Sequence, residues 1–143
     1  MEPSKPKQNP KAIGERSQLH ITAKLIEVGY DVLMPFGDNL RYDLAIEDAD
    51  GKFYRIQCKT GWMDEEQTVI SFATASSYNH TMQNKGWKHY RGQIEYFAVY
   101  CPNTRGVYLV PVNAVGVTQA NLRLIQPKNG QEKNIRWAKD YEI

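Results

Sequence analysis

The chain has 143 residues, of which 41% are hydrophobic and 24% charged, and its formal net charge is +2. This balance is typical of a globular domain and argues against a disordered chain, and the length allows a core without disulfides or a structural metal. No apolar run reaches the roughly 18 residues of a membrane span, and the N-terminus lacks the apolar segment of a signal peptide. We therefore expect one cytoplasmic domain with two reduced cysteines, Cys58 and Cys101.

The chain begins with a polar arm that leads into a helix. Residues 1–11 contain three Pro and three Lys, which predicts a flexible basic arm that is either a solvated tail or a DNA contact. From Ala12 to Val28 the apolar residues can share one broad helical face, and Gly29 is a suitable C-terminal cap. We take residues 12–143 as a single domain.

Strands dominate the rest of the chain. The β-rich runs, each bounded by turn residues, lie at 31–34, 41–47, 52–60, 68–73, 94–101, 106–112 and 122–126. Residues 76–91 lack apolar periodicity and predict a long loop, or a short helix with loops, and residues 113–117 predict a helical turn. This order predicts an α/β (α+β) fold: a mixed, mostly antiparallel sheet of about four or five strands, with the N-terminal helix on one face.

The strand 52–60 carries polar residues where an ordinary strand would not. Alternation places Tyr54, Ile56 and Cys58 on the core face. Gln57 and Lys59 then lie on the opposite face, together with Phe53 and Arg55. The turn DADG at 48–51 predicts a hairpin with strand 41–47, which brings Asp43 beside Gln57 and Lys59.

These side chains suit phosphodiester hydrolysis, which requires oxygen ligands for Mg²⁺, activated water and positive charge near the transition state. Asp43, the Gln57 amide oxygen and the Cys58 backbone carbonyl are candidate ligands for Mg²⁺, with Mn²⁺ as the alternative ion. Lys59 would orient the attacking water or stabilise the developing charge. Glu15, in the first helix, is a candidate outer ligand.

The Asp43…Gln57-x-Lys59 pattern, with an acid in the preceding helix, resembles the PD-(D/E)XK nuclease superfamily. More specifically, the chain is similar to group I intron-associated, homing-type PD-(D/E)XK endonucleases over most of its length. The segments that carry this resemblance are GERSQ (14–18), GYDVLMPFGDNLRYDLAIED (29–48), YRIQCKTG (54–61), YFAVYCP (96–102) and VYLVPV (107–112). The resemblance implies a restriction-endonuclease-like core, with Asp43 as metal ligand, Lys59 as catalytic lysine and Glu15 as the helix acid.

The sequence departs from the superfamily pattern at two positions. Gln57 stands where Asp or Glu is usual, and Tyr42 precedes Asp43 in place of the motif's proline. A neutral amide is a weaker Mg²⁺ ligand than a carboxylate. Glutamine nevertheless fits the intron-associated group, which favours a variant active site over an inactive one.

Basic residues interleaved with aromatics suit contacts to DNA phosphates. The residues predicted to bind DNA are Lys7, Lys11, Arg41, His80, Lys85, Lys88 and Arg91. The stretch 76–91 is alternatively a polar surface loop with aromatics docked on the core. An HNH-type interpretation of His80, Asn84 and His89 has a compressed spacing and no supporting cysteines. A zinc site from Cys58, Cys101 and these histidines lacks the close ligand pairs of such sites.

The sequence therefore predicts a metal-dependent endonuclease acting on double-stranded DNA, with no membrane partner and no small-molecule cofactor. Because one small domain carries one active site, cutting both strands implies a homo-oligomer, either a dimer or a tetramer. Two alternatives remain within nucleic-acid biology: a junction-resolving, repair or restriction nuclease, and a DNA-binding module that has lost catalysis. A structural interaction domain is the alternative outside it.

Overall fold

The computed structural model of the chain describes residues 1–77, 87–131 and 133–143. Its described part contains one α-helix, α1 (Pro10–Glu27). The strands are β1 (Asp31–Leu33), β2 (Leu44–Glu47), β3 (Phe53–Thr60), β4 (Trp62–Met63), β5 (Val69–Ala73), β6 (Ala75–Ser77), β7 (Trp87–His89), β8 (Tyr96–Cys101), β9 (Gly106–Pro111) and β10 (Gln119–Arg123). Short 3-10 turns lie at Val112–Ala114 and Ala138–Asp140. Within the described ranges no helix is long and apolar enough to cross a membrane.

Helix α1 starts two residues before the predicted start at Ala12. Asn9 caps it, because its side-chain oxygen accepts a hydrogen bond from the Ala12 N–H at 2.9 Å. Pro10 occupies the first turn, where its missing N–H costs nothing. The helix therefore includes Lys11, which the sequence predicts to lie in the flexible arm. It ends before Gly29, whose φ of +106° only glycine adopts without strain.

The main sheet has five strands in the order β1-β2-β3-β8-β9. All neighbours are antiparallel except β3 and β8, which run parallel. Helix α1 packs on one face of this sheet, against β3 and β8. The predicted fold class, a mixed and mostly antiparallel sheet with the N-terminal helix on it, is confirmed.

The structure corrects two predicted strands and one predicted loop, besides shifts of one or two residues at other strand ends. The run 41–47 is a strand only from Leu44, because the side chain of Asp43 meets the end of β3. The last strand is Gln119–Arg123 and not 122–126, because all five of its residues pair with β5. The stretch 76–91 is predicted as a loop or short helix; its two ends instead contribute to β6 and β7, which pair antiparallel as a ribbon, and residues 78–86 lie outside the described residues.

Two hydrophobic clusters lie on opposite faces of the main sheet. The helix-side cluster contains Ile21, Leu25, Leu44, Ile46, Ile56, Ala98, Tyr100 and Val107. The other contains Phe72, Phe97, Val99, Val110 and Leu122 among its members, and is covered by the second sheet, of order β10-β5-β4. Strand β3 therefore lies between two packed layers, and its polar residues face the second one.

Arg41 ties the β6–β7 ribbon to the segment that follows it. Its Nη1 donates to Ser76 Oγ at 2.6 Å, and its Nε donates to Gln93 Oε1 at 2.8 Å. Its Nη2 donates to the backbone carbonyls of Lys88 and His89 at 3.1 and 2.9 Å. A planar guanidinium can serve these separated acceptors at once, whereas an ammonium cannot.

Replacing Arg41 with Lys should therefore lower the free energy of unfolding by about 1–3 kcal/mol, since hydrogen bonds to a charged donor are lost. Urea denaturation measures this loss. The control is Lys replacing Arg16, whose side chain is exposed and has no hydrogen bond among the described contacts. Equal unfolding midpoints for both variants would show that Arg41 does not hold the ribbon.

Candidate active site

Asp43 lies at the end of the β2–β3 hairpin, against the last part of β3. The ladder pairs Leu44 with Ile56, which brings the preceding residue, Asp43, beside Gln57 and Cys58. The Asp43 Oδ2 accepts a hydrogen bond from the backbone N–H of Cys58 at 2.9 Å. The expected juxtaposition of Asp43 and Gln57 across the hairpin is present.

Gln57 and Lys59 share the face of β3 that looks away from α1. Their partners in β8 are Phe97 and Val99, which belong to the second cluster. Both polar side chains are half-buried, so neither lies on a freely solvated strand face. The predicted division of β3 agrees with the packing, since Ile56 and Cys58 lie on the helix side.

Lys59 is held by Tyr90. The Lys59 Nζ lies 3.4 Å from the Tyr90 hydroxyl oxygen and 4.9 Å from the centre of its ring. Tyr90 is itself buried, and the Arg41 guanidinium lies 3.8 Å from the centre of the same ring. Both cations therefore use one aromatic ring, which fixes the lysine near the end of β3.

Burial makes the ionised form of Asp43 costly. Desolvation raises the pKa of the Asp43 carboxyl, while the hydrogen bond from the Cys58 N–H and the positive charge of Lys59 oppose that rise. In the described part of the chain, the one ion pair joins Arg55 to Glu95, so neither Arg41 nor Arg55 neutralises Asp43. A desolvated carboxylate with this little compensation would gain from a bound cation.

The donors at this point fit a hard divalent cation. They are a carboxylate oxygen of Asp43, the amide oxygen of Gln57 and the backbone carbonyl of Cys58, and Mg²⁺ prefers such oxygen ligands. The Cys58 thiol is not among them, because burial and the nearby Asp43 charge raise its pKa well above the usual range. No group of three His, Cys, Asp or Glu residues lies close enough to hold a metal within the described ranges.

Glu15 lies on the exposed side of α1, and none of the described contacts joins it to Asp43. Its role as outer ligand stays a prediction. Gln18, one turn further along α1, does reach the site. It lines a cleft of about 220 Å³ together with Asp43, Tyr42 and residues between Met34 and Leu40.

The cysteines do not form the zinc site considered above. Cys58 packs in the helix-side cluster, whereas Cys101 is buried in the cluster on the opposite face. Both are free thiols. The sheet therefore separates them, and each is a core residue.

The residues predicted to bind DNA differ in availability. Lys7, Lys11 and Lys88 are exposed, and Arg91 is exposed although its Nη2 also donates to the Val115 carbonyl at 2.8 Å. Arg41 already uses its guanidinium within the fold. His80 and Lys85 lie outside the described residues. DNA contact by all of these side chains stays a prediction.

Tyr90 and Gln18 are site residues that the sequence pattern does not single out. The pattern leaves open whether the aromatics of 76–91 contact DNA or dock on the core, and Tyr90 is a core residue with 4% exposure. Gln18 is one polar residue of an amphipathic helix and has no distinguishing neighbour. Only the tertiary packing of α1 and the ribbon brings them to Asp43 and Lys59.

Replacing Asp43 with Asn should leave the metal-free protein at least as stable as the parent at neutral pH. A raised folded-state pKa means that ionised Asp43 destabilises the fold above its unfolded pKa, and that this penalty fades as the pH falls through the folded pKa. Asn keeps an oxygen for the Cys58 N–H without the charge. Thermal melts in EDTA at neutral and acid pH measure this, and a lower melting temperature for the variant at neutral pH would contradict it.

Comparisons with known proteins identify the family and the fold. The sequence model of the PD-(D/E)XK endonucleases matches residues 8–143. The solved structure of a bacterial homing endonuclease, I-Ssp6803I, superposes with a TM-score of 0.73 at 23% identity, covering 94% of this chain and 89% of that one. No curated protein sequence matches the chain. Since the family match spans nearly the whole length, the chain belongs to the PD-(D/E)XK endonuclease family.

Proposed function

We propose that this endonuclease hydrolyses phosphodiester bonds in double-stranded DNA with the help of a divalent metal ion, and that it is a site-specific, homing-type enzyme. The observation that carries the proposal is the arrangement at the end of one hairpin, where the half-buried carboxylate of Asp43 meets Gln57 and Cys58. Lys59 lies on the same face of β3 as Gln57. A carboxylate, an amide and an ammonium ion at the end of one strand pair are suited to a phosphate.

Each residue of the site has a distinct task in this proposal. Asp43, Gln57 and the Cys58 carbonyl would hold the metal, with Glu15 as outer ligand. A bound Mg²⁺ or Mn²⁺ would supply charge stabilisation at the phosphate and a more acidic water. Lys59 places positive charge beside the scissile phosphate and orients the attacking water, and Tyr90 keeps the ammonium in position.

Homing-type specificity rests on the intron-associated sequence resemblance and on the similarity to the bacterial homing endonuclease I-Ssp6803I. A junction-resolving, repair or restriction activity on the same core is the second candidate. The catalytically inactive module is the third, and only Gln57 favours it. Since each chain contributes one such site, cutting both strands of a duplex requires a dimer or a tetramer with symmetric sites.

The first test is cleavage of random-sequence duplex DNA with Mg²⁺ or Mn²⁺, beside an EDTA control. Asn replacing Asp43, and separately Ala replacing Lys59, should each lower the cleavage rate by about a hundredfold or more, because each removes charge that stabilises the transition state. The matched controls are Asn for Asp50 and Ala for Lys52, both exposed in or beside the DADG turn.

The controls should cut as the parent does. If the Asp43 variant cuts at the parent's rate, the site is elsewhere. A parent that binds duplex DNA but yields no cut ends with either metal, even after repeated rounds of selection and sequencing of the pool, would identify the inactive module. Sequencing the cut ends distinguishes one long target from a short palindrome, and branched substrates test the junction-resolving alternative.

Replacing Gln57 with Glu tests whether the side chain at position 57 binds the metal. A carboxylate binds Mg²⁺ more strongly than an amide, so the metal concentration that half-saturates cleavage should fall by about tenfold. Titrating the cleavage rate with Mg²⁺ measures this shift, and a titration of the melting temperature with metal measures binding without activity. An unchanged or higher requirement for metal would remove Gln57 from the ligand set.

A further inference from the structure

A second cleft, of about 520 Å³, lies between the first half of α1, the start of β4 and the turn after β8. Its lining includes Arg16, His20, Trp62, Tyr100, Pro102 and Arg105. No acidic residue lines it among those described. None of these side chains takes part in the candidate active site, so the cleft needs a separate explanation.

The chemistry of the lining is cationic and aromatic. Arg16 and Arg105 are both exposed, and the described contacts include no hydrogen bond or ion pair to either guanidinium. The His20 ring stacks flat on the Tyr100 ring, with centroids 4.1 Å apart. The Trp62 side chain is 49% exposed, which is high for a large apolar residue. Arginines beside flat rings are a common surface for a sugar–phosphate chain.

Arg105 occupies a position where arginine is not the favoured residue. Its φ of +59° lies in the left-handed region, where glycine and asparagine are preferred. The turn itself is closed by the Arg105 N–H, which donates to the Cys101 carbonyl at 2.7 Å. Glycine would form this turn without a steric penalty, so the backbone gives no reason for a long cationic side chain here.

The cleft and the candidate active site lie at the same end of β3, the cleft on the α1 side and Lys59 on the opposite face. Ser17 Oγ, in the cleft wall, lies 2.6 Å from Thr60 Oγ1, and Thr60 directly follows Lys59. Trp62 lies three residues after Lys59, so their backbones are at most about 10 Å apart. That is about the rise of three nucleotides along the axis of a DNA duplex, at 3.4 Å each.

We propose that this cleft binds the sugar–phosphate backbone of the DNA duplex a few nucleotides from the bond that is cut. Arg16 and Arg105 each contact one phosphate, and Trp62 packs against the deoxyribose between them. This inference rests on the proposed function, since it names how the same substrate is held. Contacts of this kind fix the register of the duplex but do not read its sequence.

The test measures binding of a fluorescent random-sequence duplex in EDTA, by anisotropy, at several salt concentrations. Replacing Arg16 with Ala, or Arg105 with Gly, should each lower the slope of log affinity against log salt by about one, because each removes one phosphate contact. The double variant should lose about two units of slope. Its cleavage rate at saturating DNA should change less than its affinity, because neither arginine touches the reacting phosphate.

Two matched controls test whether the loss of a positive charge elsewhere, or a glycine in another left-handed turn, changes DNA binding by itself. Ala replacing Lys52 removes an exposed cation near the opposite end of β3, and Gly replacing Gln67 relieves a φ of +61° in another exposed turn. Both should bind as the parent does. The Arg105→Gly protein should also melt no lower than the parent, because glycine relieves the left-handed turn.

The outcomes distinguish this inference from the proposed function. If the parent binds and cuts duplex DNA but the double variant has the parent's affinity and salt slope, the cleft is not a DNA site and the proposed function stands. If the parent binds no duplex at low salt, both are overturned. If the Lys52 control unexpectedly loses as much affinity as either arginine variant, the cleft proposal is also overturned, since the loss would then reflect net charge alone.

Discussion

The pairing of Leu44 with Ile56 is the constraint on which the candidate site depends. Both side chains are fully buried under α1, so the β2–β3 register is fixed by apolar packing on the helix side. A slip of one residue would turn that apolar set toward the other face, and the lost burial makes this slip costly. With the register fixed, Asp43 is the residue directly before the paired part of β2. Its carboxylate accepts a hydrogen bond from the Cys58 N–H at the end of the hairpin. Core packing on one face thus positions the chemistry on the other.

The polar residues of the site are supported by a chain of cation–aromatic contacts. Arg41 binds the β6–β7 ribbon and stacks on Tyr90, and the same ring contacts the Lys59 ammonium. An arginine two residues before Asp43 therefore influences a lysine on the neighbouring strand, without touching it. The arrangement lets Lys59 stay near Asp43 without pairing with it, so the carboxylate is only partly compensated. Such a carboxylate is destabilising in the metal-free protein and suited to a cation, a common compromise between stability and activity.

The sequence alone predicts the structure where alternation of apolar and polar residues, or a local turn, determines it. Alternation divides β3 into its two faces. The DADG turn is local, and it sets the hairpin pairing that places Asp43 beside Gln57. The last strand is misplaced because its register with β5, and not its own apolar content, decides its ends; Ile125 is apolar but half-exposed beyond it. Tyr90 and the Arg16–Arg105 cleft are not predictable, since residues distant in the sequence meet there only after the sheets and α1 have packed.

Gln57 has a physical justification under the proposed function. A second carboxylate beside Asp43 would raise the pKa of both groups, because like charges disfavour each other's ionisation. Burial already raises the pKa of Asp43, so a glutamate at position 57 would further favour a protonated Asp43 in the metal-free site. The amide supplies an oxygen without that penalty and leaves Asp43 easier to ionise. The amide binds the metal more weakly than a carboxylate would, so Glu15 or a DNA phosphate oxygen would have to supply the missing ligand. A glutamine here is thus compatible with an active enzyme whose metal site is completed when DNA binds.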